Sequence, residues 1–220
     1  MNKITCLLII LLVAASCAVD SDKDIVKSYY ENGNLKSELR YKDGHLNGEC
    51  RWYFPNGKPE LSINYVMDTL QGESLRWYEN GFMQSRCFYK DNEYDSVFES
   101  YNVTGKLLKK EYYKKGVKHG ALTQWYDSGK LFIEGNYNEG MFDGRWIIYY
   151  ENGSVGSTAT YNKGSGVQIG YSPDGIMMTK IQYNDNEKNG EELRYNRQGE
   201  VMEILIWDDG ELVEKIDKKH

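Results

Sequence analysis

Polar and apolar residues alternate along short segments of this chain, and the alternation returns at regular intervals. Leu35, Leu39 and Tyr41 occupy one set of alternate positions, and Lys36 and Arg40 occupy the other. A period of two places successive side chains on opposite faces of a β-strand. The pattern therefore predicts strands of about seven residues, each with one covered face and one face in water.

The strand pattern recurs with a period of 24 residues, which glycines mark. These repeat glycines are Gly33, Gly57, Gly81, Gly105, Gly129, Gly153, Gly175 and Gly199. Every spacing is 24 residues except the step from Gly153 to Gly175, which is 22. An aromatic residue lies four positions before each glycine, and another lies eight positions after it. The first set is Tyr29, Tyr53, Trp77, Tyr101, Trp125, Tyr149, Tyr171 and Tyr195, and the second is Tyr41, Tyr65, Tyr89, Tyr113, Tyr137, Tyr161, Tyr183 and Trp207. Sixteen aromatic residues in register predict a tandem array.

Two turns are predicted in each repeat. Dipeptides such as Asn32-Gly33 and Asn80-Gly81 favour hairpin turns, because Asn and Gly tolerate positive φ. A second turn is expected about fifteen residues later, at a second set of glycines that Ser96 replaces once. That set is Gly48, Gly72, Gly120, Gly144, Gly166 and Gly190. The 22-residue spacing is assigned to this second turn, so that the sheet is expected to stay continuous.

Connections this short permit only antiparallel neighbours. The chain is therefore predicted to be all-β, an elongated single-layer antiparallel sheet of about eight tandem 24-residue β-hairpin repeats. The array is placed at residues 28–215, followed by a polar C-terminal tail at 216–220. The aromatic rings of neighbouring strands are expected to stack along one face, where small residues leave space for them.

The first residues have the pattern of a secretory signal peptide. Lys3 precedes an apolar run of ten residues at 6–15, and small residues follow. Ten residues are far fewer than the ~20 that a membrane-spanning helix needs. The pattern predicts a signal peptide at residues 1–16 and an exported protein.

The end of this segment, Val13-Ala-Ala-Ser-Cys17, resembles the lipoprotein box of bacteria. The resemblance implies cleavage before Cys17, acylation of that cysteine and membrane anchoring, with a flexible tether over residues 17–27. Ordinary cleavage after Ser16 or Ala18 also fits the small residues, and it would release a free exported protein.

Composition and charge exclude several classes of function. The chain has 27 Lys and Arg against 33 Asp and Glu, a mildly acidic balance that argues against nucleic-acid binding. Its 22 Gly, 19 Tyr and 3 Pro favour strands and tight turns. No phosphate-binding loop, zinc-type Cys/His spacing or nucleophile elbow is found. The sequence therefore predicts no catalytic residue, no metal site and no cofactor.

The histidines and cysteines have structural interpretations. His45 and His119 lie three repeats apart, about 30 Å in a single-layer sheet, so they cannot share a metal ion. Cys50 and Cys87 are expected three strands apart, about 14 Å, which is beyond the ~7 Å limit between the Cα atoms of a disulfide. Both thiols are predicted to be free and buried or half-buried.

The repeated motif is Tyr-x-x-Gly-x-x-x-Gly followed by an aromatic residue and Asn-Gly, as in residues 41–57. It resembles the MORN-repeat variant family, which includes bacterial YwqK-type antitoxin proteins. The resemblance covers about residues 28–213, and the copies at 90–105 and 162–175 depart from it most. It implies an elongated stack of hairpins that binds proteins or membrane surfaces.

We therefore expect a non-enzymatic repeat scaffold of the bacterial cell envelope that binds a protein partner and is antitoxin- or immunity-like. Because the chain is exported, such a partner would lie in the envelope or outside the cell. The contact positions predicted on the face away from the aromatic ladder are Phe88, Tyr112, Phe132 and Ile206. The alternatives are an array that binds envelope glycans through exposed Trp and Tyr rings, and a structural spacer.

Overall fold

The computed structural model describes residues 18–19 and 25–218. The predicted signal peptide, Cys17 and most of the tether lie outside the described residues. The described residues form nineteen β-strands, and no membrane-spanning helix is found among them. The strands are β1 (Ala18–Val19), β2 (Ile25–Tyr29), β3 (Leu35–Lys42), β4 (His45–Leu46), β5 (Gly48–Tyr53), β6 (Pro59–Val66), β7 (Thr69–Trp77), β8 (Met83–Lys90), β9 (Glu93–Tyr101), β10 (Leu107–Lys114), β11 (Val117–Trp125), β12 (Leu131–Asn138), β13 (Met141–Tyr149), β14 (Val155–Asn162), β15 (Ser165–Tyr171), β16 (Met177–Asn184), β17 (Glu187–Tyr195), β18 (Val201–Asp208) and β19 (Glu211–Asp217).

Successive strands pair antiparallel and form one open sheet. The two-residue strand β4 pairs with β3 beside the turn, and β3 continues its pairing with β5. The predicted all-β sheet of tandem hairpins is therefore confirmed. The paired strands begin with the short β1 at Ala18 and end at Asp217, beyond the predicted array of 28–215 at both ends. The reason is that apolar residues at both ends find partners, since Val26 lies opposite Leu39 and Ile216 lies opposite Ile204.

The turns at the repeat glycines form as predicted, with a different role for asparagine. Gly33 has a φ of 84°, and its N–H donates to the carbonyl of Tyr30 at 2.9 Å. Asn32 is not among the residues with positive φ. Its Oδ1 instead accepts the N–H of Asn34 at 3.0 Å, which stabilises the turn through the side chain.

The second turn of each repeat was wrongly placed. The chain reverses four residues earlier, or two earlier in the sixth copy, at pairs of residues that both have positive φ. These pairs are Asp43-Gly44, Met67-Asp68, Asp91-Asn92, Lys115-Gly116, Glu139-Gly140, Lys163-Gly164, Asp185-Asn186 and Asp209-Gly210. Gly120 also has positive φ but lies in a strand, where the register shifts between Glu111 and Tyr113. Most of the predicted turn glycines are thus bulge residues, and a bulge needs the same backbone conformation as a turn.

The 22-residue spacing also belongs to a strand, which corrects its assignment to a turn. Strands β14 and β15 pair without a register shift, from Ser157 opposite Gly170 to Asn162 opposite Ser165. The hairpin of β12 and β13 carries a shift at the equivalent place, between Glu134 and Asn136. The two missing residues are therefore those that create the bulge. The sheet stays continuous, as predicted.

One row of side chains, the central row, crosses the sheet and holds most of its buried apolar residues. Except at the steps from Leu39 to Cys50 and from Gly135 to Trp146, each member lies in register with the next on the neighbouring strand. The row consists of Val26, Leu39, Cys50, Ile63, Ser74, Cys87, Phe98, Glu111, Leu122, Gly135, Trp146, Ala159, Gln168, Ile181, Glu192 and Leu205. Cys50 and Cys87 are free and buried in it, as predicted. The opposite side of the sheet is called the outer face below.

The second set of repeat aromatics, from Tyr41 to Trp207, lies beside the central row on the same face of the sheet. Most of these aromatics have a side chain opposite them on the next strand, and we call these opposite residues the covering residues. The pairs are Tyr41 with Leu46, Tyr65 with Leu70, Tyr89 with Tyr94, Tyr113 with Lys118, Tyr137 with Phe142, Tyr183 with Lys188 and Trp207 with Leu212. The ring centroids of Tyr89 and Tyr94 are 4.9 Å apart, and those of Tyr137 and Phe142 are 5.5 Å apart. Burial in this layer raises the pKa of Tyr137 to about 12. The predicted aromatic stacking on one face is therefore confirmed.

Candidate functional site

The outer face carries a cluster of paired charges across β8, β9 and β10. Arg86, Glu99 and Lys110 lie directly opposite one another on these strands. The Glu99 carboxylate lies 4.0 Å from Arg86 Nη1 and 3.1 Å from Lys110 Nζ, and it accepts a hydrogen bond from the Tyr101 hydroxyl at 3.1 Å. The hydrogen bond to Glu99 raises the pKa of Lys110, so this ammonium group stays charged.

Two aromatic side chains stand next to these charges. The Arg86 guanidinium lies 5.1 Å from the centroid of the Phe88 ring, and Lys110 Nζ lies 5.9 Å from the centroid of the Tyr112 ring. Tyr112 is opposite Val97 on β9 and is 36% exposed. We call the six residues Arg86, Phe88, Val97, Glu99, Lys110 and Tyr112 the outer patch.

The outer patch has the composition of a binding surface rather than of a reaction centre. Tyrosine and arginine are enriched among the residues that dominate the energy of protein interfaces. Each cation lies near a ring and a carboxylate, so paired charges surround the apolar and aromatic side chains of the patch. Among the described residues no group of three or more His, Cys, Asp or Glu could hold a metal ion.

The structure brings together two of the four contact residues predicted from the sequence. Phe88 and Tyr112 belong to the outer patch. Phe132 on β12 packs against Tyr126, with ring centroids 4.8 Å apart. Ile206 lies on β18, eight strands from Tyr112, a separation of about 38 Å at ~4.8 Å per strand. The four residues therefore do not form one site.

The charged members of the patch were not predicted from the sequence. Arg86 and Lys110 each stand five residues after a repeat glycine, and Glu99 occupies the strand between them. This shared position was the available signal. It could not be used without the strand register, which places the three residues side by side.

The two histidines are separate contacts along the array. His45 Nδ1 lies 2.5 Å from Asp68 Oδ2 in the following turn, and the N–H of Glu139 donates to His119 Nδ1 at 3.4 Å. Each histidine therefore bridges one repeat to the turn of the next.

On the opposite face, the covering row is interrupted where the repeat is two residues short. Tyr161 lies opposite Gly166, so no covering side chain stands over this part of the central row. A cavity of ≈ 210 Å³ is found here. Ser157, Ala159 and Tyr161 are buried at its base, and the half-buried Trp146 and Tyr183 contribute to its lining.

Hydrogen bonding around this interruption is completed from the next repeat. In two other repeats the side chain of the second turn residue accepts the N–H of a covering residue: Asp68 Oδ1 accepts from Leu46 at 2.6 Å, and Asn92 Oδ1 accepts from Leu70 at 2.8 Å. The turn before the interruption has Gly164 at that position. Asn186 reaches across instead, accepting the N–H of Phe142 at 2.6 Å and donating to the carbonyl of Gly140 at 2.9 Å.

Comparison with known proteins gives one family. Five segments match the model of the MORN repeat variant, at residues 25–43, 46–67, 70–91, 118–139 and 142–163. This family is a non-enzymatic type of repeat, and the matched segments agree with the tandem hairpins of the sheet. No curated protein matches the chain.

Two solved structures illustrate the distant likenesses. The pore form of the Tc holotoxin of Photorhabdus luminescens is 14% identical with a TM-score of 0.23, and the match covers 86% of this chain and 13% of that one. The TcdB2–TccC3 crystal structure is 11% identical with a TM-score of 0.22, and the match covers 84% of this chain and 14% of that one. The chain thus spans about one seventh of the length of the proteins that it matches.

Proposed function

We propose that this array, five of whose segments are matched by the MORN repeat variant, is a scaffold of the bacterial cell envelope that binds a protein partner through the outer patch. The observation that carries the proposal is the exposed Tyr112 ring, which lies opposite Val97 and under the Lys110 ammonium group, two strands from Phe88 and Arg86. Repeat arrays bind partners through extended faces, and residues that differ between copies give such a face its specificity.

The envelope location is supported by the pattern of residues 1–17. A lipid on Cys17 would hold the array at a membrane surface, and cleavage after Ser16 or Ala18 would instead release it. An antitoxin- or immunity-like role is supported by the resemblance to YwqK-type proteins. The partner would then be a toxin that acts in the envelope or outside the cell.

The binding proposal is tested by capture from the envelope. The full chain, expressed in its host with a C-terminal tag, is cross-linked and isolated, and co-purifying proteins are quantified by mass spectrometry. We expect one protein in a fixed ratio. Tyr112→Ala and Phe88→Ala should each reduce its recovery at least about fivefold, because truncating a central aromatic residue of an interface costs about 1 kcal/mol or more.

The matched control is Phe82→Ala, which removes a ring that is 51% exposed but lies in a turn outside the outer patch. Recovery should be unchanged in this variant. Equal recovery with all three variants would contradict binding through the patch. Retention of the chain on purified wall polysaccharide, without any protein partner, would favour the glycan-binding alternative, and no binding to either would favour a structural spacer.

The anchor is tested separately with Cys17→Ser. The wild-type chain should fractionate with membranes and carry the mass of acyl chains on its N-terminal peptide. The variant should leave the membrane fraction, because each buried methylene contributes about 0.8 kcal/mol to membrane binding. Identical fractionation of the two proteins would contradict lipidation.

A further inference from the structure

The cavity beside Tyr161 arises from the loss of one particular side chain. After the turn Glu139-Gly140 the chain continues with Met141 and the covering residue Phe142 before it reaches the bulge. After the turn Lys163-Gly164 it continues directly with Ser165 and Gly166. With the bulge residues missing, Ser165 takes the register position of Met141 and Gly166 takes that of Phe142. A glycine therefore stands at the covering position, and the absent side chain leaves the space.

The surrounding residues hold this space open. A Cβ atom on Gly166 would overlap the carbonyl oxygen of Thr160, so the strand cannot supply its own covering side chain at that position. The Tyr161 ring is fixed between Phe142 and Tyr183, at centroid distances of 5.2 and 5.7 Å. Asn186 ties the adjoining turns together, so the edge of the cavity does not collapse.

The size and lining of the cavity fit one aromatic ring. Its volume is ≈ 210 Å³, and apolar protein cavities of about 150 Å³ bind benzene. Equivalent positions in other repeats hold Leu, Tyr, Phe or Lys, and Tyr94 and Phe142 show that a ring packs well against the repeat tyrosine. Trp146 and Tyr183 add apolar wall to the space.

The charge distribution around the cavity favours a neutral side chain as its occupant. Where the covering residue is Lys118 or Lys188, a buried carboxylate in the central row pairs with it, at 3.2 Å from Glu111 and 2.7 Å from Glu192. At the cavity the central row supplies the neutral Gln168, whose Nε2 donates to Ser157 Oγ at 2.9 Å. None of the described residues that line the cavity is Asp, Glu, Lys or Arg.

We propose that this cavity is a docking slot for a tyrosine side chain of a protein partner, which replaces the covering residue that the array lacks. The ring packs on Tyr161, and the phenol hydroxyl meets the amide of Gln168 and the hydroxyl of Ser157. The proposal rests on the proposed function in one respect, that the partner is a protein. The slot lies on the face opposite the outer patch, so the two contacts can be tested independently.

The test uses p-cresol, the side-chain analogue of tyrosine, with the full-length protein. Binding is followed by the fluorescence of the chain and by ¹H–¹⁵N NMR shifts. We expect saturable binding with shifts centred on Ala159, Tyr161 and Gln168. Insertion of Met-Phe between Gly164 and Ser165 restores the regular spacing and fills the slot, and it should weaken binding at least about tenfold. Phe132→Ala, on the outer face, should leave binding unchanged.

A second filled variant, Ala159→Leu, makes the test independent of whether the insertion folds. Equal p-cresol binding by a folded filled variant overturns the proposal. So does binding of N-acetylglucosamine in place of p-cresol, which would make the slot a sugar site. Self-association of the wild-type chain that the insertion abolishes, measured by sedimentation, would make a second copy the occupant and also overturns it.

Failure of the slot and failure of the proposed function give different results. If the filled variant captures the envelope partner as well as the wild-type chain does, while Tyr112→Ala does not, the slot proposal fails and the scaffold proposal stands. If p-cresol binds in the slot and no protein is ever captured, the ring site stands and the proposed function fails.

Discussion

At the scale of single residues, Glu111 is one of two buried carboxylates in the central row, the other being Glu192. Glu111 is 2% exposed at a position where other repeats place Leu39, Ile63 or Leu205. Its carboxylate pairs with Lys109 at 2.7 Å and accepts the Tyr113 hydroxyl at 2.9 Å. A charge can be buried here because these partners, together with Lys118, replace the lost water.

We predict that this carboxylate makes stability fall in acid. Burial by itself raises the pKa of Glu111, but the pairing with Lys109 and Lys118 outweighs it and lowers the pKa below the ordinary 4.5. A lowered folded-state pKa gives stability that is present above 4.5 and is lost as the pH falls through the folded value. The free energy of unfolding should therefore decline less in acid for Glu111→Leu than for the wild-type chain. Denaturant unfolding at several pH values measures this, and parallel pH profiles would contradict it.

A second residue-scale prediction concerns Gly135. A Cβ atom on this central-row glycine would overlap the indole ring of Trp146. Gly135→Ala should therefore destabilise the chain by about 1–3 kcal/mol and shift its tryptophan fluorescence. Gly156→Ala is the control, because its nearest neighbour is a tyrosine ring edge at 3.3 Å. Equal effects of the two substitutions would show that the packing of Trp146 does not depend on the absence of a side chain at Gly135.

At the scale of elements, each hairpin is fastened to the next through its turn. The N–H of Gly116 donates to the carbonyl of Tyr94, and the N–H of Gly140 donates to that of Lys118, both at 2.8 Å. On the other edge the Tyr30 and Tyr78 hydroxyls donate to the carbonyls of Tyr53 and Tyr101, one repeat further along. The repeats are thus joined by two series of bonds besides the strand ladder.

Asn186 allows the strength of such a connection to be measured. Asn186→Gly removes two hydrogen bonds between turns, and Asn92→Gly removes the single bond to the Leu70 N–H. Glycine suits the positive φ of both positions, 70° and 68°, so backbone strain is matched. Asn186→Gly should cost about 1 kcal/mol more than Asn92→Gly. Equal losses in denaturant unfolding would show that the longer reach of Asn186 contributes nothing.

At the scale of the whole molecule, the sheet is open, with a first and a last strand, and most of its buried residues lie in the single central row. Each strand contacts chiefly its two neighbours, so stability is a sum of local terms. The last strand, β19, is mostly exposed, and Lys215 stands opposite Leu205 where the central row ends. An inward-facing charge of this kind discourages a further strand from adding to the edge.

We predict that removing the same amount of buried surface destabilises more strands when the residue lies in the middle of the sheet than when it lies near the end. Leu122 and Leu205 are 4% and 3% exposed, so their substitution by alanine removes similar buried surface. Each change should cost about 2–4 kcal/mol locally. Hydrogen exchange should rise on both sides of β11 in Leu122→Ala, and only in β17–β19 in Leu205→Ala. Loss of protection throughout the sheet in both variants would contradict the local picture.

The candidate site could be predicted only in part. Phe88 and Tyr112 were identifiable because they place apolar residues at positions that are usually polar. Their charged neighbours and the cavity at Tyr161 were not, since both depend on register. The cavity had a signal in the 22-residue spacing, which was assigned to a turn because glycines flank the missing residues on both sides.

The sequence by itself determined the strands, their antiparallel order and the face that each side chain occupies. These properties depend on alternation, period and tight turns, which act over a few residues. Tertiary pairing decided whether a positive-φ glycine is a turn, as at Gly116, or a bulge, as at Gly120. It also decided that a two-residue deletion removes a covering side chain and opens a cavity. Both outcomes depend on which residues of neighbouring strands lie opposite each other, and hydrogen bonding across the whole sheet sets that register.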